Sequence, residues 1–364
     1  MGYNKILEAI WPSKRLDVDI ASNLSHITRY SRFIKICLSF RFSIMPIKIP
    51  DQLPALSVLD KENIFVMSEH RAANQEIRPM QVAILNLMPN KIETEVQILR
   101  MLANTPLQIN VEFIRIHANE SKNTPTEHLD NFYCLFDDIK DKQYDGLIIT
   151  GAPLALLDYS EVSFWDKICQ VFDWAEKNVT STMFSCWAAH AALYHHYGLN
   201  RHLRTKKLSG LYKHNVCDVK EPLTRGFDEC FNVPHSRYGY IDKEDYQSIE
   251  QLKIIAESPE AGVYLVATEN KQQVYLTGHP EYDATTLHEE FLRDLSISDT
   301  ALKPDNYYPE NDEKNSPSNS WRSHGSLLFT NWLNYYVYQI TPYKLDADNI
   351  QAIQATQSGE SLEN

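Results

Sequence analysis

From Glu62 onward, short strand-like runs alternate with longer helix-like runs. This alternation is typical of β–α–β units, in which helices cover both faces of a mainly parallel sheet. The sequence therefore predicts the α/β class, with a mainly parallel sheet flanked by helices. The predicted strands cover residues 64–67, 81–87, 109–116, 146–150, 182–185, 253–256, 263–267 and 273–277. The predicted helices cover residues 92–103, 163–177, 187–197, 285–295 and 327–339.

Cys186 lies where the predicted strand 182–185 meets the predicted helix 187–197. A cysteine at such a turn points its sulfur away from the sheet, and the positive end of the helix favours the thiolate. This is the arrangement of a nucleophile elbow, with Cys in place of Ser. It is a variant, because Phe184 and Ala188 stand where an elbow usually has glycine. The alternative is a small buried residue packed under a helix.

His279 and Glu281 follow the predicted strand 273–277, with Pro280 between them. Residues two apart in an extended chain share a face, so the two side chains can project together. A histidine oriented by a carboxylate is the base that a cysteine nucleophile needs. The alternative for His279 alone is a strand-end histidine bonded to solvent. The pattern therefore predicts a Cys186–His279–Glu281 triad.

Two further strand ends carry candidate residues, because ligands in such sheets bind at the carboxyl ends of strands. Gly151 follows the strand 146–150, and backbone N–H groups of its turn, together with the N–H of Trp187, can hold a developing oxyanion. Lys91 follows the strand 81–87 and can place positive charge at the same oxygen. The alternative for Lys91 is an exposed lysine at a helix start.

The composition excludes several classes of protein. A net charge of −13 over 364 residues argues against a nucleic-acid partner. The sequence has no run of roughly 20 apolar residues that could span a membrane. The six cysteines show no C-x-x-C pair, which favours a reduced, cytoplasmic protein over a disulfide scaffold. Spacing typical of a metal site is also missing, so no metal is expected.

Residues 1–44 differ from the rest of the chain. They carry seven Lys or Arg and three acidic residues, a net charge of +4, and they lack the pattern of a secretory signal. We interpret them as a poorly ordered arm or as an artefact of start-site choice, before Met45. Residues 45–343 are expected to form a single α/β domain, in which 303–320 is a long loop. Residues 344–364 are expected to be a polar C-terminal tail.

Eight segments resemble the homoserine O-acyltransferase family, and within it the bacterial members that transfer succinyl groups. The resemblance extends from about Met45 to Tyr343, and it implies a class I glutamine amidotransferase-like (flavodoxin-like) core. It also implies transfer of an acyl group from acyl-CoA to the hydroxyl of L-homoserine, a step of methionine biosynthesis. The segments are residues 85–95, 123–133, 145–159, 181–194, 207–212, 234–238, 277–283 and 320–343.

The resemblance also implies roles for individual residues. Cys186 would form the acyl-thioester, His279 would be the base and Glu281 the third member of the triad. Lys91 would act near the reacting thioester. The implied substrate contacts are Lys207, Ser236 and Arg293, and a bidentate arginine suits the homoserine carboxylate.

Ala155 is the implied determinant of acyl choice. Succinyl-transferring members of the family have Gly at this position and acetyl-specific members have Glu. A Glu would fill the pocket and repel a succinyl carboxylate, whereas Ala adds one methyl group. We therefore expect succinyl-CoA as the co-substrate, with acetyl-CoA as the alternative.

Two other functions use parts of the same pattern. An amidotransferase or hydrolase would need an ammonia-accepting domain, for which the chain has no signature. A redox sensor would use a low-pKa Cys186 but would need no His279–Glu281 pair. The expected partners are small molecules alone, with no cofactor beyond the co-substrate, no nucleic acid and no membrane; a homodimer is compatible with the sequence.

Overall fold

The computed structural model describes residues 79–107, 109–117 and 123–342, together with two short strands earlier in the chain. Those strands, β1 (Lys48–Ile49) and β2 (Met67–Ser68), pair in parallel. The predicted arm 1–44, the tail 344–364 and most of the predicted strand 64–67 lie outside the described residues. No helix within the described part of the chain is long and apolar enough to cross a membrane.

One ten-stranded sheet organises the described residues, in the order β5-β4-β3-β6-β7-β12-β11-β10-β8-β9. The pairings from β5 to β12 are parallel, and those from β12 to β9 are antiparallel. The prediction of a mainly parallel α/β sheet is confirmed. The strands are β3 (Met80–Leu85), β4 (Ile109–Arg115), β5 (Tyr133–Leu135), β6 (Tyr144–Ile149), β7 (Val179–Ser185), β8 (His202–Val216), β9 (Cys230–Tyr240), β10 (Leu252–Ser258), β11 (Gly262–Thr268) and β12 (Gln273–Leu276).

Helices cover both faces of this sheet. The α-helices are α1 (Lys91–Leu102), α2 (Thr126–Phe132), α3 (Trp165–Asn178), α4 (Trp187–Tyr197), α5 (Lys243–Gln247), α6 (Thr286–Ile297) and α7 (Arg322–Asn331), which continues as a π-helix (Trp332–Tyr338). Short 3₁₀ turns lie at Phe136–Asp138, Tyr159–Glu161, Pro222–Thr224 and Pro309–Asn311.

Alternate residues of the central strands divide the apolar core into two layers. Phe184 packs in the layer that contains α3 and α4, whereas Met183 packs in the layer that contains α1, α7 and the π-helix. All residues of β6 and β7 are buried. Burial on both faces explains why neither strand shows the apolar–polar alternation of a half-exposed strand, although polar residues such as Asp145 and Ser181 are buried within them.

The sequence missed the antiparallel hairpin of β8 and β9. Most side chains in the first half of β8 are exposed or half-buried, and basic residues recur among them. An edge region of this kind lacks the apolar alternation that predicts a strand. The helix predicted at 327–339 was also too short, since it begins at Arg322 and changes to π-helical geometry at Trp332.

Gly146 of β6 makes close approach to Trp332 possible. A Cβ at this position would lie 2.8 Å from the Trp332 Cη2 atom, and the Trp332 indole donates to Ser181 Oγ at 3.0 Å. The indole is fully buried. The π-helix therefore rests on the sheet at a position where only glycine fits.

Gly146→Ala should lower the free energy of unfolding by about 1–3 kcal/mol, because the methyl group overpacks the core against an immobile ring. Chemical denaturation measures the change. Trp332→Phe removes the clashing ring atoms, so adding Gly146→Ala to that variant should cost less than adding it to the parent protein. Equal costs in both backgrounds would contradict the contact.

Candidate active site

Cys186 occupies a strained turn between β7 and α4. Its backbone has φ 50° and ψ −110°, a region that side-chain-bearing residues rarely adopt. Its N–H donates to Leu276 O at 2.7 Å, and its C=O accepts from His190 N at 3.3 Å. The turn is therefore tied to β12 on one side and to the first turn of α4 on the other. This is the geometry of a nucleophile elbow.

His279 and Glu281 lie beside this turn because β12 pairs in parallel with β7, with Leu276 opposite Ser185. The His279 N–H donates to Pro234 O at 2.8 Å. The Nδ1 atom of His279 lies 2.8 Å from Glu281 Oε1. An ionised carboxylate only accepts hydrogen bonds, so Nδ1 carries the proton and Nε2 is left for chemistry. The structure brings together the predicted pair.

The surroundings of His279 favour its charged form. Burial alone would lower the pKa of this imidazole, but the charges of Cys186 and Glu281, and hydrogen bonds with both, raise the pKa well above its ordinary value. The side chain is nearly inaccessible, so solvent screens these interactions weakly. The arrangement is suited to hold a thiolate–imidazolium pair.

Gly151 closes the site from the end of β6. A Cβ at this position would lie 3.2 Å from Cys186 Cβ and 3.7 Å from His279 Cε1. The backbone at residue 151 can therefore lie this close to Cys186 and His279 only because glycine has no side chain. Trp187 begins α4, and the first N–H groups of a helix have no partner within it. Both features fit the predicted oxyanion site.

Lys91 and Ala155 lie at the ends of neighbouring strands. Lys91 is buried, and its Nζ donates to the carbonyls of Asn86 and, at 3.4 Å, Met88. This placement differs from the exposed helix-start lysine that was the alternative interpretation. Ala155 is half-buried in the loop after β6.

The three predicted substrate contacts meet around two acids of α6, Glu290 and Asp294. Lys207 Nζ lies 3.2 Å from Glu290 Oε2 and 2.8 Å from Asp294 Oδ2. The Ser236 hydroxyl donates to Glu290, and Arg293 Nη2 lies 2.9 Å from Asp294 Oδ1. Lys207 and Ser236 thus share Glu290 Oε2, whereas the more exposed Arg293 is connected to Lys207 through Asp294.

Glu290 is a functional candidate that the sequence did not reveal. Burial raises the pKa of this carboxyl, but the charge of Lys207 and hydrogen bonds from Ser236 and Tyr282 hold it below its ordinary value. Tyr282 also stacks on the His279 ring, with centroids 4.2 Å apart. Its hydroxyl donates to Glu290 Oε1 at 2.8 Å. Tyr282 therefore connects the triad to the Lys207–Ser236 group.

One group of potential metal ligands occurs in the part of the chain that the structure describes. It consists of His202, Asp242 and Asp245, all of them exposed. Exposed acidic groups of this kind are common without an ion, and the group shares no residue with the triad.

A cysteine on a strained strand–helix turn with a histidine–carboxylate pair is the arrangement of enzymes that form covalent intermediates. A sequence profile described as homoserine O-succinyltransferase matches residues 46–343. The homoserine O-succinyltransferase of Pseudoalteromonas atlantica is 60% identical over 301 residues, which cover 83% of this chain and 98% of that protein. The one from Alteromonas mediterranea is 59% identical, with 83% and 96% covered.

The chain belongs to the homoserine O-succinyltransferase family, which confirms the predicted family and the acyltransferase class. Among solved structures, the chain matches a glutamine amidotransferase from Thermotoga maritima with a TM-score of 0.44 and 11% identity, over 70% of this chain and 97% of that chain. Another, from Methylobacillus flagellatus, has a TM-score of 0.43, 12% identity, and coverages of 71% and 95%.

Gly151→Ala should lower kcat by about tenfold or more, since the new methyl group displaces Cys186 or His279 and small displacements of reacting groups are costly. The melting temperature should change little, because the loop can shift by a few tenths of an ångström. Pro153→Ala, an exposed position in the same loop, is the matched control. Normal kcat in the Gly151 variant would show that this loop does not touch the reaction centre.

Proposed function

We propose that the protein transfers a succinyl group from succinyl-CoA to the hydroxyl of L-homoserine through a thioester on Cys186. The observation that carries this proposal is the juxtaposition of Cys186, on its strained turn, with the buried His279–Glu281 pair. Membership of the family supports the substrates, since the relatives are named homoserine O-succinyltransferases. We therefore favour succinyl-CoA over acetyl-CoA.

In the first half-reaction, the Cys186 thiolate attacks the carbonyl carbon of succinyl-CoA. The bond to the CoA sulfur breaks, and the departing thiolate takes a proton from the His279 imidazolium. In the second half-reaction, His279 Nε2 takes the proton of the homoserine hydroxyl while the hydroxyl oxygen attacks the thioester carbon of the acyl-enzyme. The Cys186 thiolate is released and O-succinyl-L-homoserine forms. Glu281 keeps the ring in the required tautomer.

Backbone N–H groups would stabilise the oxyanion of both tetrahedral intermediates. The N–H of Trp187 and the segment at Gly151 lie on two sides of Cys186. Lys91 contributes positive charge from the end of β3. Burial of the triad limits the access of water, which would otherwise hydrolyse the acyl-enzyme.

The charged groups around α6 are suited to an amino acid substrate. Lys207 and Arg293 offer cations for the homoserine carboxylate, and Ser236 offers a hydroxyl. Glu290 holds Lys207 and Ser236 in place and, through Tyr282, is connected to His279. The substrate contacts and the catalytic base are therefore connected by hydrogen bonds to Glu290 and by the stacking of Tyr282 on His279.

We further propose that the reaction needs no metal or cofactor, because the triad supplies nucleophile, base and orienting carboxylate. A cytoplasmic location and a homodimer also stay predictions. Size-exclusion chromatography with light scattering gives the assembly, and dialysis against a chelator should leave the transfer rate unchanged.

Ala155→Glu should depress succinyl transfer strongly and spare or raise acetyl transfer. The added side chain removes volume and repels the succinyl carboxylate; at about 4 Å and an effective dielectric constant near 20 the repulsion is roughly 4 kcal/mol before screening. The readout is the ratio of kcat/KM for the two acyl-CoAs. An unchanged ratio would mean that Ala155 does not contact the acyl group.

His279→Asn should lower kcat by a factor on the order of 10² or more, as expected for a lost general base. Glu281→Gln should cost less if this carboxylate only orients the ring, and Cys186→Ser should remove turnover. Release of CoA with homoserine present measures all three. If His279→Asn keeps near-normal kcat, the base lies elsewhere.

A further inference from the structure

A cavity of about 380 Å³ lies between the start of α4, the end of β9 and the β10–β11 turn. Its inner wall contains the buried residues His190, Arg237, Tyr246 and Thr277. Thr277 lies two residues before His279, and His190 lies one helical turn after Cys186. The lining therefore includes chain neighbours of both the His279 segment and the Cys186 turn, although none of its residues takes part in the steps described above.

Arg237 is a buried cation whose partners are all neutral. Its side chain is 4% exposed. It donates from Nε to His235 Nδ1 at 3.3 Å, from Nη2 to Ala261 O at 2.6 Å, and from Nη1 to Gly239 O. The ion pairs found among the described residues do not include Arg237. A guanidinium has five N–H donors, so these bonds leave donors on both terminal nitrogens.

The histidines beside Arg237 cannot supply the missing negative charge. His214 Nδ1 lies 3.0 Å from Tyr212 O, so it carries the proton, and His235 Nε2 then donates to His214 Nε2 at 3.1 Å. Burial lowers the pKa of His214 to about 3 and that of His235 well below its ordinary value. Both rings are neutral, and their chain of hydrogen bonds fixes Arg237 from behind.

A second cation faces the same space. Arg204 Nη2 donates to Ala261 O at 3.4 Å, the same oxygen that Arg237 uses, so two like charges lie close together. Burial and then the charge of Arg204 lower the pKa of Arg237 to about 10, which still leaves it charged at neutral pH. In the described part of the chain, Arg204 Nε and the buried His190 Nε2 have no hydrogen-bond partner.

Buried like charges and unsatisfied polar atoms are costly without a counter-ion. The acids that line the cavity do not fill this role. Glu257 is paired with Lys243 at 2.7 Å, Asp242 is exposed and lies 3.7 Å from His202, and Glu260 is exposed. The cavity is thus positive at its inner end, where a ligand with one carboxylate would satisfy both guanidinium groups.

Arg237 is near enough to Cys186 for their charges to interact: burial and Arg204 lower the pKa of Arg237, whereas the charge of Cys186 raises it. One helical turn separates Cys186 from His190, about 6 Å along the axis, and helix side chains lean toward the N-terminus. A succinyl group places its carboxylate about 5 Å from the thioester sulfur at ordinary bond lengths. The phosphates of CoA are separated from the thioester by the whole pantetheine arm. They therefore lie too far from Cys186 to be the ligand of this cavity.

Arg201 connects the cavity to the loop of Ala155. Its Nη2 donates to Leu157 O. A Cβ added to Gly239 would lie 3.3 Å from Arg201 Cδ and 3.1 Å from His190 Nδ1, so Arg201 and His190 approach the same point of β9. The loop implied in acyl choice and the inner wall of the cavity are therefore held together by one side chain.

We propose that this cavity binds the terminal carboxylate of the succinyl group, with Arg237 and Arg204 as its partners. Selection of the acyl group then depends on charge pairing in the cavity as well as on the volume available at Ala155. The inference rests on the proposed acyl transfer at Cys186. It assigns Arg237 and Arg204 as specificity residues.

The direct test compares succinyl-CoA with butyryl-CoA, which has the same chain length without the carboxylate. Arg204→Gln is the first variant, because this half-buried side chain can be replaced without emptying the core. It should lower kcat/KM for succinyl-CoA about tenfold or more, as expected for a lost hydrogen bond to a charged group, and leave butyryl-CoA nearly unchanged. Arg237→Lys should shift the ratio in the same direction.

Lys253→Gln is the matched control, since Lys253 of β10 pairs with Asp218 and Glu221 and is not among the residues that line the cavity. Its ratio of kcat/KM values should equal that of the parent protein. Equal losses for both acyl-CoAs in Arg204→Gln, or an equal shift of the ratio in Lys253→Gln, would overturn the proposal.

Calorimetry with free succinate separates this inference from the proposed chemistry. Cys186→Ser protein should bind succinate and its monomethyl ester, which keeps one carboxylate, but not methyl butyrate, the uncharged ester of the same length. Arg204→Gln in the same background should weaken the binding of succinate about tenfold. Because this measurement needs no acyl-enzyme, it holds even if the thioester mechanism is wrong. Failure of succinate to bind, or equal binding of methyl butyrate, would contradict the cavity's assignment while leaving the thioester mechanism untested by this measurement and open to its own test.

Discussion

The parallel pairing of β7 with β12 is the constraint on which the rest of the site depends. It places the ends of two strands side by side, so that the chain turns into α4 at Cys186 and into the His279–Glu281 segment at adjacent positions. The Cys186 turn adopts a positive φ, and its N–H is held by Leu276 O. Strain of this kind persists only where surrounding structure fixes it, here by two fully buried strands.

The antiparallel half of the sheet carries the residues to which we assign substrate recognition. The β8–β9 hairpin supplies Lys207 and Ser236 on the side that faces α6, and Arg237 on the side of the cavity. Successive residues of a strand point to opposite faces, so Ser236 and Arg237 serve two different groups of partners. One hairpin can thereby hold the acceptor on one face and, as we propose, the acyl carboxylate on the other.

The parallel core, the turn at Cys186 and the contact of His279 with Glu281 were accessible from the sequence because their signals are local. The helix predicted at 187–197 agrees with the observed Trp187–Tyr197, and the two-residue spacing of His279 and Glu281 correctly indicated their contact. Glu290 was not accessible, since its partners Lys207 and Ser236 lie 83 and 54 residues away along the chain. The proximity of Arg204 and Arg237 likewise depends on the pairing of β8 with β9, and the sequence of these two segments did not predict strands.

The most direct test of the account is intact-mass spectrometry after incubation with succinyl-CoA in the absence of homoserine. We expect one added succinyl group, located at Cys186 by peptide mapping and discharged when homoserine is added. The adduct should form more slowly in His279→Asn. A protein that turns over normally without any adduct, or that carries the adduct on another residue, would contradict Cys186 as the nucleophile.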